Sequence, residues 1–121
     1  MKKEIVVDLN DPDSIEACIR ALVEGGRLRH ANFDGANLAY ASFSGAYLQG
    51  AGLQGAHLKG ADLRVANLDG ATLYGANLER ANLERANLYE ADLRGADLRV
   101  ANLEGANLTP KQLSQIIIVD E

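Results

Sequence analysis

Residues 66–110 read ANLDG ATLYG ANLER ANLER ANLYE ADLRG ADLRV ANLEG ANLTP, nine copies of one five-residue unit. The same five-residue unit begins at Ala31 and continues without interruption, so that sixteen copies fill residues 31–110. Alanine begins every unit, and leucine holds the third position except at Phe33 and Phe43. Asparagine or aspartate lies between them in eleven units, and glycine ends nine. Self-similarity at a fixed short period indicates a repeat architecture.

The odd period dictates how the chain must run. Residues two apart in an extended chain point to the same side, so the alanine and leucine of a unit face inward together. Because five is odd, the next alanine would face outward unless the chain turned a corner within each unit. An α-helix fits poorly, since a five-residue step advances about 140° beyond a full turn and scatters the apolar positions. The arrangement that remains is a series of short extended segments joined by corners around a filled interior.

The inward positions define a predicted core, and the last position of each unit defines the corners. Glycine suits a tight corner, but seven units end in another residue, which predicts corners of more than one turn type. The predicted core residues include Ala36, Ala56, Ala71, Ala76, Leu38, Leu53, Leu58, Leu73, Leu78 and Leu93.

Sixteen consecutive Ala-(Asn/Asp)-Leu-X-X units resemble the pentapeptide-repeat family. The resemblance covers 16 units of five residues, or 80 of the 121 residues. It implies an all-β solenoid, a right-handed quadrilateral β-helix with four units and twenty residues per coil, and therefore about four coils. The four-sided geometry comes from the family, because a five-residue period alone does not fix the number of sides.

The segments on either side of the repeats are predicted to cap the solenoid, whose ends would otherwise expose unpaired strand edges. Residues 12–24 are expected to form an amphipathic capping helix, because Asp13 and Glu16 match a capping box. The predicted organisation is a terminal strand and capping helix over 1–30, the β-helix over 31–110 and a cap or dimerisation segment over 111–121.

The C-terminal segment combines a helix signal with an apolar run. Thr109 followed by proline predicts a short helical turn. The apolar run that follows either packs on the end of its own solenoid or forms a two-fold homodimer contact. It consists of Ile116, Ile117, Ile118 and Val119.

Composition and charge exclude several classes of function. The chain has 12 basic and 17 acidic residues, a net charge of −5, which gives it no electrostatic reason to bind nucleic acid. Cys18 is the only cysteine, so no internal disulfide can form. No apolar run approaches the roughly 18 residues of a membrane span. The expectation is a soluble, cytoplasmic protein without a membrane partner.

No pattern of catalytic or metal-binding residues is present in the sequence. Only His30, His57 and Cys18 offer imidazole or thiol chemistry, and none belongs to a recognised motif. We therefore expect no enzymatic activity, no metal and no cofactor. His57 interrupts the Asn/Asp positions, either as neutral surface variation or as part of a binding patch. The predicted interaction surface comprises Tyr40, Tyr47, His57, Tyr74 and Tyr89.

The leading functional prediction is a non-enzymatic structural or protein-interaction scaffold with an unidentified protein partner. The alternative, which the family resemblance implies, is a DNA-mimic inhibitor or protector of DNA gyrase. The acidity favours that alternative, whereas the mixing of acidic and basic residues opposes it. Stacking every twenty residues would place Lys59, Glu79 and Arg99 in one column of alternating charge, which interrupts any continuous negative surface.

Overall fold

The computed structural model describes residues 28–116, which wind in coils of twenty residues. Twelve parallel β-bridges join the second residue of one unit to the second residue four units later, from Asn32 with Gly52 to Asn87 with Asn107. Four pentapeptide units therefore complete one coil. Each extended segment is a single bridge residue flanked by corners, so no longer strand forms within residues 28–116. The one helix in this part of the chain, α1, spans Pro110–Leu113.

Successive coils are held together by backbone hydrogen bonds in a fixed pattern. The N–H of Leu63 donates to the carbonyl of Asn82 at 2.7 Å, and the N–H of Asn82 donates to the carbonyl of Ala61 at 2.9 Å. Each corner closes on itself, as where the N–H of Ala66 donates to the carbonyl of Leu63 at 3.1 Å. Because these groups lie next to the core, pairing them avoids the cost of burying unsatisfied polar atoms.

The interior is a stack of alanine and leucine side chains with two phenylalanines near one end. Every alanine and leucine of the units between residues 46 and 98 is at most 4% exposed. Phe33 and Phe43 come from opposite sides of one coil and meet edge to face, with ring centroids 6.2 Å apart. All of the predicted core residues are buried, at 3% exposure or less: Ala36, Ala56, Ala71, Ala76, Leu38, Leu53, Leu58, Leu73, Leu78 and Leu93.

The corners share one backbone conformation at their last residue. At the fifteen corners from residue 35 to residue 105, φ lies between +58° and +72°, whether the residue is glycine or not. The prediction of more than one turn type is therefore wrong for these corners. Bonds to the neighbouring coils impose the left-handed conformation, and residues such as Val65 and Val100 adopt it despite the steric penalty on a β-branched side chain. Pro110, which ends the sixteenth unit, is instead the first residue of α1.

The C-terminal end is capped by α1, which confirms the helical turn predicted after the repeats. Thr109 and Gln112 form a capping box: the side chain of Thr109 accepts from the N–H of Gln112, and the side chain of Gln112 accepts from the N–H of Thr109. The amide nitrogen of buried Gln112 also donates to the carbonyls of Leu88 and Ala91, at 2.6 Å and 3.1 Å. The side-chain amide of Gln112 thus donates to the preceding coil in place of the backbone N–H groups of a further coil.

The cap covers the last coil unevenly. The N–H of Gly95 donates to the carbonyl of Gln115 at 3.0 Å, so the chain beyond α1 still follows one side of the coil below. Leu103 and Leu108, on the other sides, are only half-buried. The predicted N-terminal strand and capping helix, within residues 1–27, lie outside the described residues, as do Ile117, Ile118 and Val119.

Candidate interaction surfaces

The twenty-residue spacing sorts the outward side chains onto four faces separated by four edges. Each face collects every fourth unit, and each edge collects the corner residues that end those units. The first face comprises residues 31–35, 51–55, 71–75 and 91–95. The second comprises 36–40, 56–60, 76–80 and 96–100. The third comprises 41–45, 61–65, 81–85 and 101–105. The fourth comprises 46–50, 66–70, 86–90 and 106–109.

The structure distributes the five predicted interaction residues around the solenoid. Tyr74 lies on the first face, His57 on the second, and Tyr47 and Tyr89 on the fourth. Tyr40 lies on the edge between the second and third faces, and its side chain is the most exposed of the four tyrosines, at 72%. Their distribution rules out one patch made of all five, although two of them meet at a common feature.

That feature is an open groove of about 460 Å³ between the last coil and α1. Tyr89 and Arg94 line it from the coil side, and Lys111 and Gln115 line it from the side of α1. The guanidinium of Arg94 lies 5.3 Å from the ring centroid of Tyr74, which brings Tyr74 next to the groove. The remaining lining residues are Glu90, Ala91, Asp92, Thr109 and Gln112. A groove with both charge signs and an aromatic wall suits side chains of a partner protein.

Three aspartates bind the arginine two residues later in the same unit. In the pair Asp97–Arg99, the guanidinium donates to both carboxylate oxygens, with an Nη2–Oδ2 distance of 2.6 Å, and the backbone N–H of Arg99 donates to Oδ1 at 3.1 Å. These hydrogen bonds, above all the side-chain ones, lower the pKa of each aspartate. The other pairs are Asp62–Arg64 and Asp92–Arg94, each at 2.7 Å.

Sequence reasoning missed these pairs, although the recurring Asp-Leu-Arg triplet could have indicated them. It treated the aspartates only as outward polar residues. The pairs neutralise three acidic residues of the repeat region, so they weaken the negative surface that DNA mimicry requires.

The predicted column of alternating charge on the second face is confirmed. The carboxylate of Glu79 lies 3.8 Å from Nζ of Lys59 in the coil below and 3.2 Å from Nη2 of Arg99 in the coil above. Arg80 approaches the same carboxylate, at 3.8 Å. Such exposed pairs contribute about 0–1 kcal/mol each, so they add little to stability but set the charge pattern of this face.

The asparagines of the repeats serve the fold rather than a ligand. In Asn87, Oδ1 accepts from the backbone N–H of Tyr89 at 3.0 Å, and Nδ2 donates to Oδ1 of Asn67 at 3.3 Å. Asn107 continues the row by donating to Asn87 at 3.2 Å. Asparagine is favoured here because its side chain bonds to its own backbone two residues on. Within residues 28–116, no group of three His, Cys, Asp or Glu residues could hold a metal ion.

The apolar C-terminal run falls partly inside the described residues. Ile116 is half-buried against the core. Its role in a dimer contact remains a prediction. The helix that this structure describes is too short and too polar to cross a membrane.

The fold and these surfaces define a class of protein: a pentapeptide solenoid whose variable side chains all lie on its outside. The chain belongs to the pentapeptide-repeat family, whose members form right-handed β-helices. The family model, described as pentapeptide repeats, matches in eight copies, with overlapping matches over residues 18–55, 27–64, 46–85 and 66–105.

Solved structures to which this chain is similar include several pentapeptide-repeat proteins. Rfr23 from the cyanobacterium Cyanothece 51142 is 37% identical, with a TM-score of 0.52, and the match covers 78% of this chain and 58% of that one. The protein alr5209 from Nostoc is 28% identical over 98% of this chain and 100% of that one, with a TM-score of 0.49. QnrB1, a plasmid-mediated fluoroquinolone resistance protein, is 20% identical over 74% and 66%, with a TM-score of 0.35. A search of curated proteins finds no match.

Proposed function

We propose that this protein is a rigid, non-enzymatic scaffold that binds another protein through its outward side chains and needs no cofactor. The proposed frame is a four-sided β-helix of about four coils. The inward positions are nearly uniform, so the core carries no specificity. The outward positions differ from coil to coil, and the solenoid holds them at fixed spacings. Specificity therefore depends on the outside of the solenoid.

The observation that carries this proposal is the groove beside α1 together with Tyr74 and Tyr89. The two tyrosines are 47% and 49% exposed, although their rings are large apolar surfaces. Tyrosine and arginine are enriched among the residues that dominate protein interfaces, and Arg94 lies between the ring of Tyr74 and the groove. The buried Gln112 fixes α1 on the last coil, so the groove is formed before a partner arrives.

The test is a cross-linked capture from the native host with matched variants. The double variant Tyr74→Ser and Tyr89→Ser should lose a protein that the wild type retains, while Tyr47→Ser should still retain it. All three proteins should melt at similar temperatures, because the substituted side chains are exposed. Identical captured proteins for the wild type and the double variant would contradict the proposed role of the groove.

DNA mimicry towards gyrase is the second candidate, and the net charge of −5 is the observation in its favour. Against it, Asp62, Asp92 and Asp97 are each neutralised by an arginine of the same unit. We expect the protein to leave gyrase supercoiling unchanged at micromolar concentration. Dose-dependent inhibition in that assay would reverse the order of the two candidates.

A further inference from the structure

The last coil has backbone hydrogen-bonding groups that the C-terminal cap does not cover. Every unit between residues 31 and 85 turns three such groups towards the next coil: the carbonyl of its first residue and the N–H groups of its third and fifth residues. In the unit 81–85, all three are bonded to the coil above, at 2.8–3.0 Å. One coil further along the same face, the corresponding groups of Ala101, Leu103 and Gly105 have no partner within residues 28–116.

The cap serves the first face instead. The side chain of Gln112 in α1 donates to the carbonyl of Ala91 at 3.1 Å, and the carbonyl of Gln115 accepts from the N–H of Gly95 at 3.0 Å. Within the described part of the chain, neither α1 nor the residues after it bond to the backbone of the third face. The third face therefore ends in an unpaired strand edge, which is a template for another strand.

The core is open at the same place. Ala101 and Leu103 are only half-buried, whereas Ala81 and Leu83, directly below them in the stack, are 0% exposed. Apolar side chains that covered the upper pair would be removed from water in turn, which favours their binding.

The edge presents more donors than acceptors. The unit 101–105 offers two N–H groups for one carbonyl, so a complementary partner must face it with more carbonyls than N–H groups. The same edge of a second copy has the same excess of N–H groups, so two copies that met head to head would leave donors unpaired.

An extended segment that runs parallel to the unit matches all three groups. One of its residues donates to the carbonyl of Ala101 and accepts from the N–H of Leu103, and the carbonyl two residues later accepts from the N–H of Gly105. The residue that lies opposite Asn102 points outward, and its two neighbours point inward over the open end of the core. The parallel direction is also that of all twelve bridges in the solenoid.

We propose that the C-terminal edge of the third face, residues 101–105, binds an extended segment of another protein by parallel strand addition. The segment carries an apolar side chain on each side of one outward-facing residue, and main-chain hydrogen bonds hold it in place. This inference rests on the proposed scaffold function and adds a second surface, which recognises backbone and is separate from the groove beside α1.

Amide hydrogen exchange in the full chain tests whether the edge is open. The amides of Leu103 and Gly105 should exchange much faster than those of Leu83 and Arg85, which donate to the coil above. If Leu103 exchanged as slowly as Leu83, the edge would already be covered, and the proposal would be overturned.

A peptide titration tests the binding itself. The probe is the acetylated and amidated peptide Lys-Val-Thr-Val-Lys, whose lysines keep it soluble, added to the ¹⁵N-labelled protein. We expect the largest amide shifts at Leu103 and Gly105. Shifts centred on another face would refute the assignment.

Two methylated peptides show whether backbone is recognised. In the parallel register, the threonine N–H donates to Ala101, so methylation of that nitrogen should abolish the shifts. The nitrogen of the second valine points away from the edge, and its methylation should leave the shifts unchanged. Equal effects of the two methyl groups would contradict strand addition, and the reverse order would refute the parallel direction.

Variants of the chain separate this edge from the groove. Leu103→Lys places a charge at an inward edge position and should weaken binding of the peptide about tenfold. Leu113→Lys, at a side chain of α1 that is 44% exposed, should have no effect. The double variant Tyr74→Ser and Tyr89→Ser should bind the peptide as the wild type does. If Leu103→Lys does not fold, the methylated peptides still decide the question.

Self-association is the competing outcome. If light scattering shows a dimer that Leu103→Lys dissociates, the occupant is a second copy, and the assignment to another protein is wrong. If the peptide does not bind while the tyrosine-dependent capture persists, the scaffold function stands and only this edge is refuted. If the peptide binds as expected while that capture fails, the edge stands and the groove is refuted.

Discussion

Replacing Leu73 by alanine tests the interior stack directly. Leu73 is 0% exposed and lies between Leu53 and Leu93 of the neighbouring coils, which are equally buried. The substitution removes three carbons, worth about 2.4 kcal/mol at about 0.8 kcal/mol for each buried methylene. It also leaves a cavity that adds about 24 cal/mol per Å³ wherever the surroundings cannot collapse.

Collapse around Leu73 is restricted because the backbone is fixed on both sides. The N–H of Leu73 donates to the carbonyl of Asp92 at 2.8 Å, and the carbonyl of Thr72 accepts from Leu53 at 2.8 Å. We therefore expect a loss near the upper part of the range for such substitutions, about 4 kcal/mol. For a domain of this size, that loss corresponds to a fall in Tm of about 12–16 °C.

Thermal unfolding followed by circular dichroism measures the effect, with two leucines as matched controls. Leu103→Ala should cost less than Leu73→Ala, because Leu103 is already half-buried at the end of the stack. Leu113→Ala, in α1, should cost least, since that side chain is 44% exposed. Equal losses at the three positions, or an unchanged Tm for Leu73→Ala, would refute the reasoning that burial in a common stack stabilises this solenoid.

Three further predictions concern polar groups. Gln112→Ala should destabilise the protein by about 2–3 kcal/mol in chemical unfolding, because the carbonyl of Ala91 loses its donor and that of Leu88 keeps only the N–H of Ala91. Gln54→Ala should be nearly neutral, because that side chain is exposed. Asn87→Ala should cost about 1 kcal/mol in the same assay by interrupting the asparagine row; no loss would show that the row is not stabilising. Asp97 has a pKa lowered from 3.8 by Arg99, so its contribution to stability is present above pH 3.8 and lost as the pH falls through the folded-state pKa. The difference in stability between the wild type and Asp97→Asn should therefore be largest above pH 3.8 and disappear in acid; a constant difference would contradict this.

The core could be predicted from the sequence because it depends only on the odd length of the repeat. An alanine and a leucine two residues apart, repeated with an odd period, can face one interior only if a corner resets the chain. The short helix after the repeats was predictable for a similar reason, since its capping signal is local.

The corners could not be predicted, because residue preference and the demands of stacking conflict there. Val65 and Val100 disfavour positive φ, and sequence reasoning therefore gave them a different turn. Hydrogen bonds to the neighbouring coils fix the corner in one conformation, and the side chain adapts. Gln112 was missed because its partners, Leu88 and Ala91, lie more than twenty residues earlier in the chain.

Which side chains face inward follows from the amino-acid sequence alone, because local alternation within each five-residue unit sets the inward and outward positions. Which outward side chains become neighbours follows only from the folded chain, because it depends on the twenty-residue closure of a coil. The closure places Tyr74 and Tyr89 beside one groove and stacks Lys59, Glu79 and Arg99 in one column of charges. The function proposed here depends on these contacts between and within coils, which no single unit contains.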